Sequence, residues 1–342
     1  MPPLKRRTPT IQENVVEEIT NEIEKSFIPT EKTSVRCDMT ISTGSTLLDL
    51  IISGGRINGG GVPGGIILEV AGPAASGKTA ILAQIAANAQ LKNGQVMFLD
   101  PEARFDQEYA EIYGIKLDAK DYYRPDTVEE IFGKINQWKP ENENVINVIC
   151  ADSLAALSTD MEMDEQDRMG MRRAKCFSEG LRKTARIISG NNWIIACSNQ
   201  QRDGQFGPTT PGGQAIKYYC SLRMTVKQIK KIEKEKDFHG KKISKIIGIE
   251  SKCVIEKSSI DDPFRTCNIS ILFKKGIDTI RDELIFYKAS MNETTYNCLD
   301  KNYVSLDKAV EYIEQNNLQS KLKERTIETW NEMENLFASK GK

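Results

Sequence analysis

The chain has 342 residues, enough for one large α/β domain with smaller appendages, or for two domains. Apolar residues make up 39% and charged residues 28%; no apolar run reaches the length of a membrane span and no signal-peptide pattern opens the chain, so no membrane association is expected. The formal net charge of −1 excludes a globally basic nucleic-acid binder and confines any such surface to a local patch.

The eight cysteines (Cys37, Cys150, Cys176, Cys197, Cys220, Cys253, Cys267 and Cys298) include no C-x-x-C pair, and His239 is the one histidine. That pattern argues against structural zinc and against Ser-His-Asp or Cys-His catalysis. Cys150 and Cys197 sit in apolar runs, where a thiol acts as a small hydrophobe. A reducing, cytoplasmic setting is expected.

Residues 1–9 are basic and Pro-rich. Ile11, Val15, Val16, Ile19, Ile23 and Phe27 then fall on one helical face, ended by Pro29. Such a helix packs either on its own domain or on a neighbouring subunit. Ser42-Thr43-Gly44-Ser45 precedes an apolar helical stretch, Leu47 to Ile52, and a glycine-dense link leads to Gly65.

From 66 to 200, the apolar runs Ile66–Val70, Val96–Leu99, Val145–Ala151 and Trp193–Cys197 alternate with helical stretches. This predicts an α/β fold, a parallel sheet with helices on both faces and ligands beyond the strands' carboxyl ends. The first run feeds Gly72-Pro73-Ala74-Ala75-Ser76-Gly77-Lys78-Thr79, which fits G-x-x-x-x-G-K-[ST], and a helix opens at Ala80. Gly72 and Gly77 let successive N–H groups converge on an anion, and the helix N-terminus adds partial positive charge. Lys78 can reach the β- and γ-phosphates, and the Thr79 hydroxyl can ligate Mg²⁺.

Other strand ends carry chemistry too. Asp152 is placed to hold Mg²⁺, or else to cap the next helix. Glu102, past Val96–Leu99, can accept a proton from an attacking water, or be a surface acid. Gln200 can contact a γ-phosphate and report its presence.

Runs at Ser221–Val226, Cys253–Ile255 and Cys267–Phe273 suggest further, antiparallel strands around a Lys-rich stretch from Lys227 to Lys245. That stretch reads as a solvated hairpin or as an added duplex-DNA contact. A hairpin-like piece, Leu284–Tyr287 with Asn292-Glu293, precedes helical patterns from Ser305 to Phe337.

The motifs Gly72–Thr79, Asp100-Pro101-Glu102-Ala103, Asp152–Leu157, Asn199-Gln200, Pro211–Tyr219 and Pro263-Phe264 follow in the order and spacing of the RecA strand-exchange recombinases, which this chain resembles over roughly residues 10–290. The resemblance implies a RecA-type P-loop ATPase core with a mostly parallel central sheet and three parts. These are an N-terminal polymerisation helix and linker at 1–36, the core with its DNA-binding loops at 37–276, and a small α+β C-terminal domain at 277–342. It implies ATP and Mg²⁺ as cofactors. Its partners would be single-stranded DNA, a homologous duplex, and further copies in a helical homopolymer with ATP between protomers.

Carried over by position, Gly72 to Ala80 bind nucleotide, Thr79 and Asp152 serve the metal, Glu102 is the hydrolytic base and Gln200 the γ-phosphate sensor. Tyr109 matches the aromatic that stacks on adenine. Lys257 keeps one of two cross-subunit lysines, while Ser259 stands at the other. A first DNA loop around Thr159–Met171, with Met169 and Gly170, runs into a helix bearing Arg172, Arg173, Lys175 and Arg182. These basic residues form either a phosphate contact or a solvated face. A second loop, Gln201–Gln214, carries Gly212, Gly213, Gln214 and Phe206, the last either wedged between bases or buried beneath the loop. The same core would also suit an ATP-switched DNA-binding scaffold that hydrolyses little, or a hexameric ATPase or helicase.

Overall fold

The computed structural model describes residues 39–159, 171–200, 202–204, 207–209 and 213–337. All of them belong to one compact unit. The N-terminal helical pattern, Met169, Gly170, Phe206 and Gly212 lie outside the described residues.

Among the described residues, nine strands build the main sheet: β1 (Ile66–Gly72), β2 (Val96–Leu99), β3 (Tyr122–Tyr123), β4 (Asn147–Ala151), β5 (Trp193–Gln200), β6 (Leu222–Phe238), β7 (Lys241–Ser258), β8 (Thr266–Leu272) and β9 (Gly276–Ile277). They lie in the order β9-β8-β7-β6-β1-β5-β4-β2-β3. The pairs from β6 through β1, β5, β4 and β2 to β3 are all parallel. β7, β8 and β9 continue the sheet antiparallel. This is the predicted α/β architecture with a mostly parallel centre. β1, β2 and β4 are buried along their whole length, which is why they read as unbroken apolar runs rather than as alternating ones.

Nine α-helices accompany the sheet among the described residues: α1 (Thr46–Ser53), α2 (Lys78–Leu91), α3 (Gln107–Tyr113), α4 (Val128–Gln137), α5 (Met171–Gly190), α6 (Gly213–Tyr219), α7 (Thr279–Ser290), α8 (Leu306–Gln315) and α9 (Gln319–Asn335). One apolar cluster joins α1 and α2 to one sheet face through Leu48, Ile81, Ile85 and Phe98. A second joins α4 and α5 to the other face through Phe132, Phe177 and Ile195. None of the described helices is long and apolar enough to cross a membrane.

The Ser42–Ser45 segment has a local physical basis. Ser45 caps α1, accepting from the Leu48 N–H. The buried Asp49 carboxylate accepts from the Ser42 hydroxyl at 2.5 Å and from the Thr43 N–H and hydroxyl, each at 2.7 Å.

One sequence expectation is corrected here. Leu284–Tyr287 is not part of a hairpin; it lies inside α7, capped by the Asp278 carboxylate. Ile280 and Leu284 fall one turn apart and are both buried, so the spacing is helical although the run is apolar and aromatic. A two-stranded hairpin does follow, further on, pairing Tyr296–Asn297 with Asn302–Tyr303.

The helices after β9 carry their own apolar cluster, centred on Leu284, Val310, Ile313 and Leu322. They are also fastened to the core. Thr46 Oγ1 donates to Glu283 Oε1 at 2.5 Å. Arg265 bridges Asp261 at 2.7 Å and Glu334 at 2.6 Å, with its guanidinium 5.1 Å from the Trp330 ring centre.

Candidate nucleotide site at the carboxyl ends of the strands

The loop Gly72–Lys78 joins β1 to α2, as its glycines require. Gly77 has φ +95°, in the left-handed region, and a Cβ there would come within 2.2 Å of Ile271 Cδ1. At Gly72 a Cβ would meet the Val226 carbonyl oxygen at 2.1 Å. The loop is therefore pressed against β6 and β8, and no larger residue fits at either point. Two hydroxyls hold its shape: Ser76 Oγ donates to Pro73 O at 2.9 Å, and the buried Ser251 Oγ of β7 donates to Ser76 O at 2.9 Å.

Lys78 folds back over the loop and donates to Gly72 O at 3.1 Å and Pro73 O at 2.7 Å. Burial pushes its ammonium below the usual lysine range, and the nearby Asp152 and Glu102 carboxylates act in the opposite sense. Thr79 Oγ1 donates to Asp152 Oδ2 at 2.5 Å, and the Ser198 hydroxyl donates to Asp152 Oδ1. Two hard oxygen donors thus sit side by side where a helix N-terminus meets a strand end.

Gln200 stands in register with Gly72, one strand over. Its Nε2 lies 3.3 Å from Glu102 Oε1, while Arg104 approaches the other Glu102 oxygen at 2.8 Å. The neighbouring Asp100 does something different. It is buried and accepts from the Phe105 N–H at 2.8 Å and the Tyr122 hydroxyl at 2.7 Å. Of the two acids around Pro101, Glu102 is the one that faces the Gln200 amide.

Beside the loop opens a cleft of about 580 Å³, the size of a small-ligand site. Ala75 to Ala80 line one side, Tyr109 and Tyr113 another. Tyr109 is set by Asp106, which accepts its N–H at 2.7 Å, and its hydroxyl lies 3.2 Å from that of Tyr113. The remaining wall comes from Gln228, Lys231, Ile246, Ile249, Ile271 and Phe273, none of them among the nucleotide-site residues expected from the sequence. They reach the loop only because β6 pairs with β1, a long-range fact with no local signal. A larger cleft of about 680 Å³ lies around Phe105, Asp106, Ile115 and Arg124 and contains no phosphate-loop residue.

The remaining sequence candidates are dispersed. Lys257 does not line its own chain's cleft; its Nζ donates to Lys217 O at 2.9 Å and Tyr218 O at 3.0 Å, at the C-terminal end of α6. Lys175 and Arg182 are exposed on α5, seven residues apart and hence on one face, with Lys175 3.9 Å from Glu179. Arg172 and Arg173 lie in α5, and Gly213 and Gln214 in α6, so β5 leads into the glycine-rich segment and α6 follows it.

A phosphate loop opening a helix on a mostly parallel sheet defines the class, a nucleoside-triphosphatase of the P-loop kind. A family model for the RecA N-terminal domain matches residues 11–278. The chain is 30% identical to Protein RecA of Phytoplasma mali over 322 residues, 89% of this chain and 91% of that one. It is 32% identical to Protein RecA of Ruminococcus albus over 251 residues, 71% and 59% of the two chains, and 35% identical to that of Borrelia hermsii over 245 residues, 69% and 65%. The match thus spans less than two thirds of the length of the last two relatives. The chain belongs to the RecA family of DNA-dependent ATPases and recombinases.

The cleft makes one site prediction. Removing either flat wall, Tyr109→Ala or Phe273→Ala, is expected to raise the KM for ATP about tenfold, by loss of about 1–1.5 kcal/mol of ring contact, with kcat little changed. Steady-state kinetics on both variants checks this; a fall in kcat at constant KM would contradict it.

Proposed function

We propose that this chain is an ATP-dependent recombinase that assembles on single-stranded DNA as a helical homopolymer and pairs it with a homologous duplex. The observation that carries the reading is the convergence of Thr79, Asp152, Glu102 and Gln200 on the phosphate loop. Thr79 and Asp152 would hold Mg²⁺, which commonly takes one or two protein oxygens and completes its shell with phosphate and water. Bound there, the ion would supply charge compensation for the phosphates. Lys78 exchanges its two loop carbonyls for phosphate oxygens. Glu102 takes the proton of the attacking water, and Gln200 registers the γ-phosphate.

Gln200 is the last residue of β5, directly before the glycine-rich segment, and α6 follows that segment. A shift of the Gln200 amide therefore acts on the stem of the segment assigned to DNA, together with the exposed Lys175 and Arg182 of α5. Residues 277–342 are read as a small C-terminal domain, supported by their separate apolar cluster.

The assay is ATP turnover with and without single-stranded DNA. Clear stimulation is expected, and a rate indifferent to DNA would remove the reading. Ser259, where the family resemblance implies a lysine, favours a second reading as a slowly hydrolysing, ATP-switched scaffold. A low rate in both conditions with ATP-dependent DNA binding intact would select it.

A further inference from the structure

The ribbon of β6 and β7 runs on beyond the sheet as an arm, turning at His239-Gly240, whose φ values are 52° and 77°. From Glu233 to Ile246 its residues are exposed except for the half-buried Lys234. The segment Glu233-Lys234-Glu235-Lys236-Asp237 changes sign at every residue. On a strand, successive side chains leave on opposite faces, so this alternation sorts the charges by face.

The register completes the sorting. Lys234 opposes Lys245, Lys236 opposes Ile243 and Phe238 opposes Lys241, giving one face with four lysines and no acid. Glu233 opposes Ile246, Glu235 opposes Ser244 and Asp237 opposes Lys242, giving the other face three acids and one lysine. That lysine is already engaged, 3.8 Å from Glu235. None of the four lysines on the basic face has an ion-pair partner among the described residues.

We infer that the arm is a self-association element, in which the lysine face of one protomer's arm docks on the acidic face of the next protomer's arm. Both faces are built on one strand repeat, so lysines and acids recur at the same pitch of about 6.7 Å. A nucleic acid would match the lysine face alone and be repelled by the other; a second copy of this chain answers both. Opposite faces of one element make a heterologous contact, which propagates along a filament wherever the rotation between copies does not close a ring. Exposed ion pairs are individually weak, so the arm sets direction and register along the polymer rather than holding it together alone. The inference rests on the homopolymer reading above.

Two charge-reversed variants test it: one with Lys234, Lys236, Lys241 and Lys245 all changed to Glu, the other with Glu233, Glu235 and Asp237 all changed to Lys. Assembly is followed by light scattering and electron microscopy with a non-hydrolysable ATP analogue and oligo(dT). Each variant alone is expected to need about tenfold more protein to assemble than wild type. An equimolar mixture should return to the wild-type concentration, because each arm then meets one of opposite sign. Unimpaired single variants, or a mixture that stays impaired, would overturn the inference. Loss of oligo(dT) binding in the first variant with normal assembly of the second would overturn it too, and would assign the lysine face to nucleic acid. A wild type that forms no polymer removes the homopolymer reading and the inference together.

Discussion

Glu102→Gln is expected to lose ATP hydrolysis, by about 10²–10⁴-fold, while keeping ATP-dependent DNA binding. The geometry separates the two properties. Glu102 sits past the end of β2 with its carboxylate 3.3 Å from the Gln200 amide, beside the residue proposed to read nucleotide state. A glutamine there is isosteric and still accepts that hydrogen bond, but it cannot take a proton from water. The lost ion pair with Arg104 costs little, because the Arg104 side chain is 76% exposed. Phosphate release measures the first property and fluorescence anisotropy of labelled oligonucleotide the second. Turnover at the wild-type rate would remove Glu102 from the mechanism; DNA binding lost in parallel would make it a structural residue.

Lys78→Ala is expected to weaken nucleotide binding sharply without unfolding the protein. In wild type, ligand binding to the folded state raises the melting temperature according to the ratio of ligand concentration to Kd. A charge-assisted phosphate contact is worth about 2–5 kcal/mol, so its loss weakens binding by roughly thirtyfold to several-thousandfold. The melting shift with a non-hydrolysable ATP analogue should therefore be much smaller than the wild-type shift at the same ligand concentration. The apo melting temperature should move little: the lysine's two loop hydrogen bonds are lost, but so is the cost of desolvating its charge. An undiminished ligand shift would refute the assigned role.

The parallel half of the fold was readable because its strands are buried on both faces. Ile66–Val70, Val96–Leu99 and Trp193–Cys197 announce themselves as short apolar runs closed by polar residues, and the phosphate-loop pattern fixes the order of events around them. The Leu284–Tyr287 run misled for the same reason, since four successive apolar or aromatic residues look like a strand. Its helical state follows from the Asp278 cap and from partners in α8 and α9, which lie far along the chain. The site divides likewise. Lys78, Thr79, Glu102, Asp152 and Gln200 each end or follow a strand, where function can be guessed from position. Gln228, Lys231 and Phe273 reach the cleft through sheet order, and no spacing in the sequence encodes that β6 lies next to β1. The alternating signs at 233–237 were visible as letters but acquire two faces only once the strand and its register are known.

The hydrogen bond from Ser251 to the Ser76 carbonyl has a thermodynamic corollary. It joins the root of the arm directly to the phosphate loop. Whatever contact at the arm does to the free energy of that loop, nucleotide at the loop must do equally to the contact, because linkage between two binding equilibria is reciprocal. ATP affinity should then depend on protein concentration, and the Ser251→Ala variant should uncouple the two while leaving each measurable alone.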